Sequence, residues 1–239
     1  MARMVAILGL LVLATGEAAA QSVDLELVLL ADASRSIDDG EILVQRQGYA
    51  AAIIHPAVLR AIEQGFDQRI AVTYVEWGDA RSQDVVVPWT IIDGKDSAAA
   101  FAATLMERPR RAFGPNAIGS ALTVARTLIE SNAYEGYRKV IDLSADSVSS
   151  WDGISLAEAR QAALMADIVI NGLAVLCRSC SGRPNSYDLE AAFADRIIGG
   201  PASFVVTAEK DNQFAEAVRR KLLLEIAGTT PRGATVAGR

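Results

Sequence analysis

The chain has 239 residues, of which 51% are hydrophobic and 22% are charged, a composition typical of globular proteins and not of disordered or fibrous ones. Its formal net charge is −6 at pH 7. Because an acidic protein neutralises few phosphate groups, nucleic acid and anionic lipid are disfavoured as partners.

The first 20 residues have the order of a secretory signal peptide. Arg3 supplies a positive start, Val5 to Ala14 is a short apolar run, and Ala18 to Ala20 resembles a cleavage site. The run is about half of the ~20 residues that span a bilayer, which favours a cleaved signal over a retained anchor. We therefore expect a mature chain that begins at Gln21, is periplasmic or secreted, and does not insert into a membrane.

Strand-like and helix-like segments alternate from residue 23 onward. The apolar run from Val23 to Ala31 predicts a strand buried on both faces. A helical pattern follows from Glu41 to about Ile62, and Pro56 interrupts it. Strands are predicted from Arg69 to Trp77 and from Asp84 to Thr90, and the short link between them predicts an antiparallel hairpin at a sheet edge.

The second half of the chain continues this alternation. Helices are predicted over Ser97 to Met106, Ala117 to Ile129, Tyr187 to Ile197, a segment from a Ser155/Glu158 capping box to Ala166, and a segment from Asp211 to Ile226. Strands are predicted over Lys139 to Leu143, Ile168 to Leu176 and Ala202 to Thr207. The pattern indicates one α/β domain over residues 21–228, a doubly wound and mostly parallel sheet with helices on both faces, followed by a loose tail over 229–239.

Oxygen-bearing side chains follow the predicted strands. Asp32, Ser34 and Ser36 come directly after the first strand, Asn116 precedes the clearest helix, and Asp146 follows the strand that begins at Lys139. In a doubly wound sheet, ligands bind at the carboxyl ends of the strands, where these loops are expected to converge. Oxygen ligands suit a hard cation such as Mg²⁺, with Mn²⁺ or Ca²⁺ as alternatives. The first loop alone is equally explained by ordinary helix capping.

The spacing Asp32-x-Ser34-x-Ser36 after a hydrophobic strand resembles the metal-ion-dependent adhesion site of von Willebrand factor A domains. The resemblance extends to the bacterial domain-of-unknown-function family 1194, an exported branch of the von Willebrand A-like fold. The segments that carry it are residues 23–29, 48–52, 70–77, 170–173, 198–201 and 221–226. It covers nearly the whole mature chain and implies a von Willebrand A-like, Rossmann-like fold.

By this resemblance Ser34 and Ser36 ligate the metal directly, and Asp32 and Asp146 act as charged supports. One coordination position stays open for an Asp or Glu carboxylate of a protein partner. The chain departs from the pattern at two positions. Asn116 stands where relatives usually have Thr, and Ser147 stands where they usually have Gly.

The resemblance implies an exported, non-enzymatic binding module that engages a protein through a divalent cation. Two alternatives stay open. One is a scaffold of the same fold that works without metal. The other is a thiol–disulfide redox protein that uses Cys177 and Cys180, which form a Cys-x-x-Cys pair. In an exported chain this pair more simply predicts a structural disulfide that closes a loop.

The remaining polar residues receive structural interpretations. His55, the single histidine, is predicted to lie on a helix surface or in packing. Glu76, Asp79 and Asp84 follow or begin neighbouring strands and are predicted to be solvated turn residues, with a position at the rim of the sheet as the alternative. The basic cluster from Arg108 to Arg111 is predicted to be a solvated turn.

Overall fold

The computed structural model describes residues 20–176, 187–208 and 213–228. The strands there are β1 (Gln21–Val23), β2 (Leu25–Asp32), β3 (Ile70–Trp77), β4 (Gln83–Ile92), β5 (Tyr134–Gly136), β6 (Lys139–Ala145), β7 (Ile168–Val175) and β8 (Val205–Ala208). The helices are α1 (Asp39–Ile53), α2 (Pro56–Glu63), α3 (Lys95–Glu107), α4 (Ile118–Glu130), α5 (Leu156–Met165), α6 (Leu189–Arg196) and α7 (Phe214–Ala227). Residues 1–19 of the predicted signal peptide, Cys177, Cys180, Asp211 and the tail over 229–239 lie outside the described residues.

Six strands form the central sheet in the order β4-β3-β2-β6-β7-β8. Neighbouring strands are parallel except for β3 and β4, which are antiparallel, so β4 forms an edge. Pro88 lies in β4 where the register with β3 shifts, a place where a missing backbone donor is tolerated. This confirms the predicted doubly wound, mostly parallel sheet with one antiparallel edge strand.

Helices bury both faces of this sheet. One core packs α1, α3 and α7 on the sheet and includes Tyr49, Phe101 and Leu222. The other packs α4 and α6 on the opposite face and includes Leu122 and Phe193. All eight residues of β2 and all eight of β3 are buried, as expected for strands covered on both sides. A ligand therefore reaches these strands only at their ends.

Pro56 divides the predicted long helix in two. Helix α1 ends at Ile53, and α2 begins at Pro56 with His55 as its N-cap. The His55 Nδ1 atom accepts a hydrogen bond of 3.1 Å from the Ala57 backbone amide. Proline lacks a backbone donor and is therefore favoured at a first helical position. His55 therefore has a structural role, but as a helix N-cap residue and not as the helix-surface or packing histidine that was predicted.

The predicted capping box at α5 is wrong. Ser155 is the N-cap residue, but its side chain makes no capping hydrogen bond. A complete capping box forms at α1 instead. Asp38 Oδ1 accepts from the Glu41 amide at 2.9 Å, and Glu41 Oε2 accepts from the Asp38 amide at 2.8 Å. The spacing permits these bonds, but the side-chain rotamers decide whether they form.

A buried ionic cluster joins α7 to the sheet. Lys221 Nζ lies 2.6 Å from Asp142 Oδ1 and 2.5 Å from Glu225 Oε1, and the three side chains are at most 1% exposed. Asn171 Nδ2 donates to Glu225 Oε1 at 3.1 Å. Burial, and then the negative charge of Asp142, raise the pKa of Glu225 to about 7. The cluster holds two carboxyl groups around one ammonium, so its charge depends on protonation.

Within residues 20–176, 187–208 and 213–228, no helix has the length and apolar character needed to cross a bilayer.

Candidate metal centre

The predicted site residues meet at the carboxyl ends of adjacent strands. The loop after β2 carries Ser34 and Ser36, and the β6 strand runs directly into Asp146. Asn116 lies just before α4, where the Ala117 amide donates to the Gly78 carbonyl after β3 at 3.0 Å. Strand β2 has β3 on one side and β6 on the other, so the three loops share the crevice where the strand order reverses.

The loop after β2 is a compact turn around Asp32. The Ser34 amide donates to Asp32 Oδ1 at 2.8 Å, and the Ser34 and Ser36 hydroxyl oxygens lie 3.3 Å apart. Gln45 Nε2 on α1 donates to the Asp32 carbonyl at 3.0 Å. Asp32 and Ser34 are each 1% exposed. Alternate residues of the loop therefore present their oxygens to one side.

Two carboxyl groups share this crevice. Burial, followed by the negative charge of Asp146, raises the pKa of Asp32 to about 7, against the opposing effect of hydrogen bonds from Ser34 and from the Asp146 backbone. Burial also raises the pKa of Asp146, and a hydrogen bond from the Ser36 hydroxyl opposes that rise. The negative charges thus disfavour each other, and a cation between them would relieve the repulsion.

Asn116 contacts the other residue that departs from the family pattern. Its Nδ2 atom donates to Ser147 Oγ at 2.7 Å. This bond commits the amide nitrogen, and the Asn116 Oδ1 atom is left buried without a hydrogen-bond partner among the described residues. The Asp32 Oδ2 atom is likewise buried without a hydrogen-bond partner among the described residues. Buried polar atoms are normally satisfied, so both oxygens are available to a ligand.

The residues present fit a hard divalent cation. The side chains that converge offer only oxygen atoms, from two carboxylates, two hydroxyls and one amide. Within the described ranges no cluster of three or more His, Cys, Asp or Glu residues could hold a metal. The candidate site therefore depends on Ser34, Ser36 and Asn116 for its neutral ligands, and a dication would keep attraction for an external anion.

An open cavity of about 340 Å³ gives access to the side chains of Ser34, Ser36 and Asn116. Its lining residues are Ser34, Arg35, Ser36, Pro115, Asn116 and Trp151. The Trp151 amide donates to the Asn116 carbonyl at 2.7 Å, which holds the 151 segment against the site. A ligand can therefore reach the hydroxyls and the amide from solvent.

Arg110 contacts the loop of the candidate site, which the sequence interpretation did not predict. Its Nη2 atom donates to the carbonyls of Ala33 at 2.8 Å and Ser34 at 3.4 Å, and its Nη1 atom pairs with Asp39 at 2.9 Å. The guanidinium carbon also lies 4.6 Å from the centre of the Phe113 ring. Arg110 is therefore a clamp on the candidate metal loop, and the predicted solvated turn is wrong at this position. No local pattern distinguishes it from Arg108 or Arg111.

Glu76 is also not the solvated turn residue that was expected. It is fully buried at the end of β3, and its two oxygens accept from Arg46 Nε at 2.7 Å and from Arg46 Nη2 at 2.9 Å. The expectation is wrong because Arg46, 30 residues away on α1, supplies a counter-charge that no local pattern reveals.

The chain matches known proteins in family and in fold. The family model described as "Protein of unknown function (DUF1194)" matches residues 22–230. No curated protein sequence matches the chain.

Solved structures share the fold at low sequence identity. The pilus adhesin SpaC from Lactobacillus rhamnosus GG is 12% identical, with 87% of this chain and 31% of that chain covered and a TM-score of 0.61. Proximal thread matrix protein 1 from the mussel byssus, with a zinc-occupied MIDAS motif, is 16% identical (87% and 49% covered, TM-score 0.60). A von Willebrand factor type A protein from Catenulispora acidiphila is 16% identical (86% and 43% covered, TM-score 0.57). The chain spans about half or less of each of these structures, and the likeness establishes a von Willebrand A-like fold.

Proposed function

The chain belongs to the DUF1194 family, whose description assigns no activity. We propose that it is an exported binding module that holds a divalent cation and engages a carboxylate of a protein partner. The cation is of the Mg²⁺ type, with Mn²⁺ and Ca²⁺ as alternatives. Ser34, Ser36 and Asn116 would supply neutral oxygens, and Asp32 and Asp146 the negative charge.

One observation carries this proposal. Two buried oxygens, Asp32 Oδ2 and Asn116 Oδ1, have no hydrogen-bond partner among the described residues. They belong to a cluster whose other members are hydroxyls and a carboxyl group. A bound cation would satisfy both oxygens and supply a positive charge that attracts an external carboxylate. The loop after β2, clamped by Arg110, would keep the two serines facing the open cavity.

Removal of the Asp32 carboxylate is expected to abolish metal binding. Residues 21–239, stripped of metal and titrated calorimetrically with Mg²⁺, Mn²⁺ and Ca²⁺, should bind one ion, and Asp32→Ala should bind it about 100-fold more weakly or not at all. The variant should stay folded, because burial and Asp146 already disfavour the charged form of Asp32.

The matched control for this titration is Asp152→Ala. Asp152 is an exposed acid beside Trp151, so its replacement makes the same Asp-to-Ala change near the site without removing a candidate ligand. Equal weakening in both variants would indicate nonspecific attraction. No binding by the unaltered protein would favour a metal-independent scaffold of the same fold.

The Asn116–Ser147 hydrogen bond is expected to tune metal affinity. In Ser147→Ala the amide of Asn116 loses the acceptor that fixes its orientation, so its oxygen is no longer held for a ligand. We expect an affinity about 10-fold lower by the same titration, the lower end of the range for groups that orient metal ligands. Ser149→Ala, in the same loop, is the control. Unchanged affinity in Ser147→Ala would remove Asn116 from the proposed ligand set.

The proposed export predicts cleavage of the signal peptide close to the first described strand. The Gln21 amide donates to the Ala133 carbonyl at 2.9 Å, and β1 pairs in parallel with β5 from Gln21 to Val23. The fold thus uses residues from 21 onward, which supports a mature chain that begins there. N-terminal sequencing of the protein recovered outside the cytoplasm should read Gln-Ser-Val. A sequence that retains residues before Ala20 would contradict signal cleavage at this position.

A further inference from the structure

Large apolar side chains are exposed around the mouth of the candidate metal centre. Trp151 is 78% exposed and lines the cavity, and Phe113 is 51% exposed. Both are tied to the site loops. The Trp151 amide donates to the Asn116 carbonyl, and Phe113 precedes Gly114, whose carbonyl accepts from the Arg35 amide at 2.8 Å. Aromatic side chains at such a position expose apolar area that a partner can cover.

An arginine at the same mouth is available to an anion. Arg35 stands between the two serines, is exposed and lines the cavity. Among the described residues its guanidinium makes no ion pair and no hydrogen bond, whereas the neighbouring Arg110 is held by Asp39 and by backbone carbonyls. A guanidinium matches a carboxylate through two parallel hydrogen bonds.

The rim therefore offers two kinds of contact beside the oxygen cluster. Arg35 offers a cation, and Trp151 offers a broad apolar face. Asp38 and Asp152 are exposed acids close in sequence to Arg35 and Trp151, and neither is paired with Arg35. Although the whole chain has a net charge of −6, the cavity lining itself contains one cation and no acid. This charge complements an acidic segment.

We infer that Arg35 and Trp151 determine specificity for an acidic protein segment in which an apolar side chain stands beside the carboxylate. This inference rests on the proposed metal-dependent function. The carboxylate that binds the cation also accepts hydrogen bonds from the Arg35 guanidinium. The neighbouring apolar side chain of the partner packs on the Trp151 indole. A carboxylate without an apolar neighbour leaves the indole exposed and binds more weakly.

The test is an unbiased selection of peptides. A phage library of random peptides is selected against the unaltered protein in Mg²⁺ and, separately, in EDTA. The expected enriched sequences carry Asp or Glu next to an apolar residue, in Mg²⁺ only. A synthetic peptide of the most enriched sequence is then titrated against Trp151→Ser and Arg35→Gln. Each variant is expected to bind this peptide at least about 10-fold more weakly than the unaltered protein does.

Matched controls lie on other surfaces. Met165→Ser removes a similarly exposed apolar side chain, 72% exposed, at the opposite end of the sheet, and Arg220→Gln removes an exposed arginine on α7. Both should bind the peptide as the unaltered protein does. A second peptide, with Ser in place of the apolar residue, should bind Trp151→Ser as tightly as the first peptide does, because the indole contact is already lost.

Separate outcomes count against the inference and against the proposed function. If calorimetry shows the ion bound but the selected peptides lack an apolar neighbour, or bind both rim variants normally, the inference is overturned and metal binding stands. If calorimetry shows no ion, or the same peptides bind in EDTA, the proposed function itself fails. Peptides enriched without any acid overturn the role of Arg35.

Discussion

Replacing Lys221 by Met is expected to lower the free energy of unfolding by about 3–5 kcal/mol at neutral pH, because it removes the cation from a buried ionic cluster. Asp142 and Glu225 would keep their buried positions with no ammonium to balance them. Urea unfolding of the purified chain measures the loss. Adding Asp142→Asn and Glu225→Gln to Lys221→Met should recover more than half of it, since neutral amides cost less to bury than unpaired charges.

The control for Lys221→Met lies on the same helix. Arg219 pairs with Glu216 across one turn of α7, and the two side chains are 31% and 63% exposed. Its Nη1 atom also lies 3.0 Å from His55 Nε2, so this variant loses one part-buried contact besides the ion pair. Arg219→Met should cost less than about 1 kcal/mol, as exposed ion pairs do. Equal losses in the two variants would mean that helix propensity or general charge, and not burial of the cluster, determines the effect.

The stability lost in Lys221→Met is expected to increase with pH. The pKa of Glu225 is raised from 4.5 to about 7 in the fold, mainly by burial. Between these values the folded chain retains a proton that the unfolded chain releases, so stability falls as the pH rises from about 4.5 to 7. Without Lys221 the carboxyls resist ionisation further, so Lys221→Met should lose more stability near pH 8 than near pH 5. Equal losses at both pH values would contradict this account.

Replacing Glu76 by Gln is expected to cost about 3–5 kcal/mol of folding free energy, because it leaves the Arg46 guanidinium buried without a counter-charge. Arg46 is 5% exposed and bonds both oxygens of Glu76. Burial lowers the pKa of Arg46, but the hydrogen bond and charge of Glu76 outweigh it, and the pKa is raised. Chemical denaturation of the purified variant gives the magnitude.

The Glu76→Gln substitution is also expected to perturb the candidate metal centre. Arg46 donates through Nη1 to the Arg108 carbonyl, in the segment that leads to the Arg110 clamp. Metal affinity of the variant should therefore fall as well. Glu130→Gln, which breaks an exposed pair with Arg126, is the control and should change neither stability nor metal affinity appreciably. A stable Glu76→Gln variant would indicate that the amide replaces the carboxylate adequately.

The order of strands and helices followed mainly from hydrophobic periodicity, with proline, capping and turn residues as additional signals. The stripe predicted over Ala117 to Ile129 forms α4 over Ile118–Glu130, and the apolar run predicted from Val23 to Ala31 forms the buried strand β2 over Leu25–Asp32, with Val23 in the separate strand β1. These patterns succeed because a helix or strand buries one set of positions at a fixed period. The short strands β1 and β5 were missed, since three residues are too few to show a period.

The loops of the candidate site were also predictable in outline. Asp32, Ser34 and Ser36 follow a buried strand, and parallel topology brings Asn116 and Asp146 to the same end of the sheet. That inference needs only the rule that the carboxyl ends of parallel strands share one rim. It could not reveal that Asn116 donates to Ser147, because the two residues lie 31 positions apart.

The sequence by itself determined the fold class and the loops that carry the oxygens. Only the tertiary structure decided which charges are buried and how they pair. Arg46 meets Glu76, Lys221 meets Asp142, and Arg110 meets the carbonyls after β2, each across a long stretch of chain. Periodicity reports which positions face the core. The partner of a buried charge is set by the packing of distant elements, because desolvation makes a buried charge depend on the particular group that compensates it.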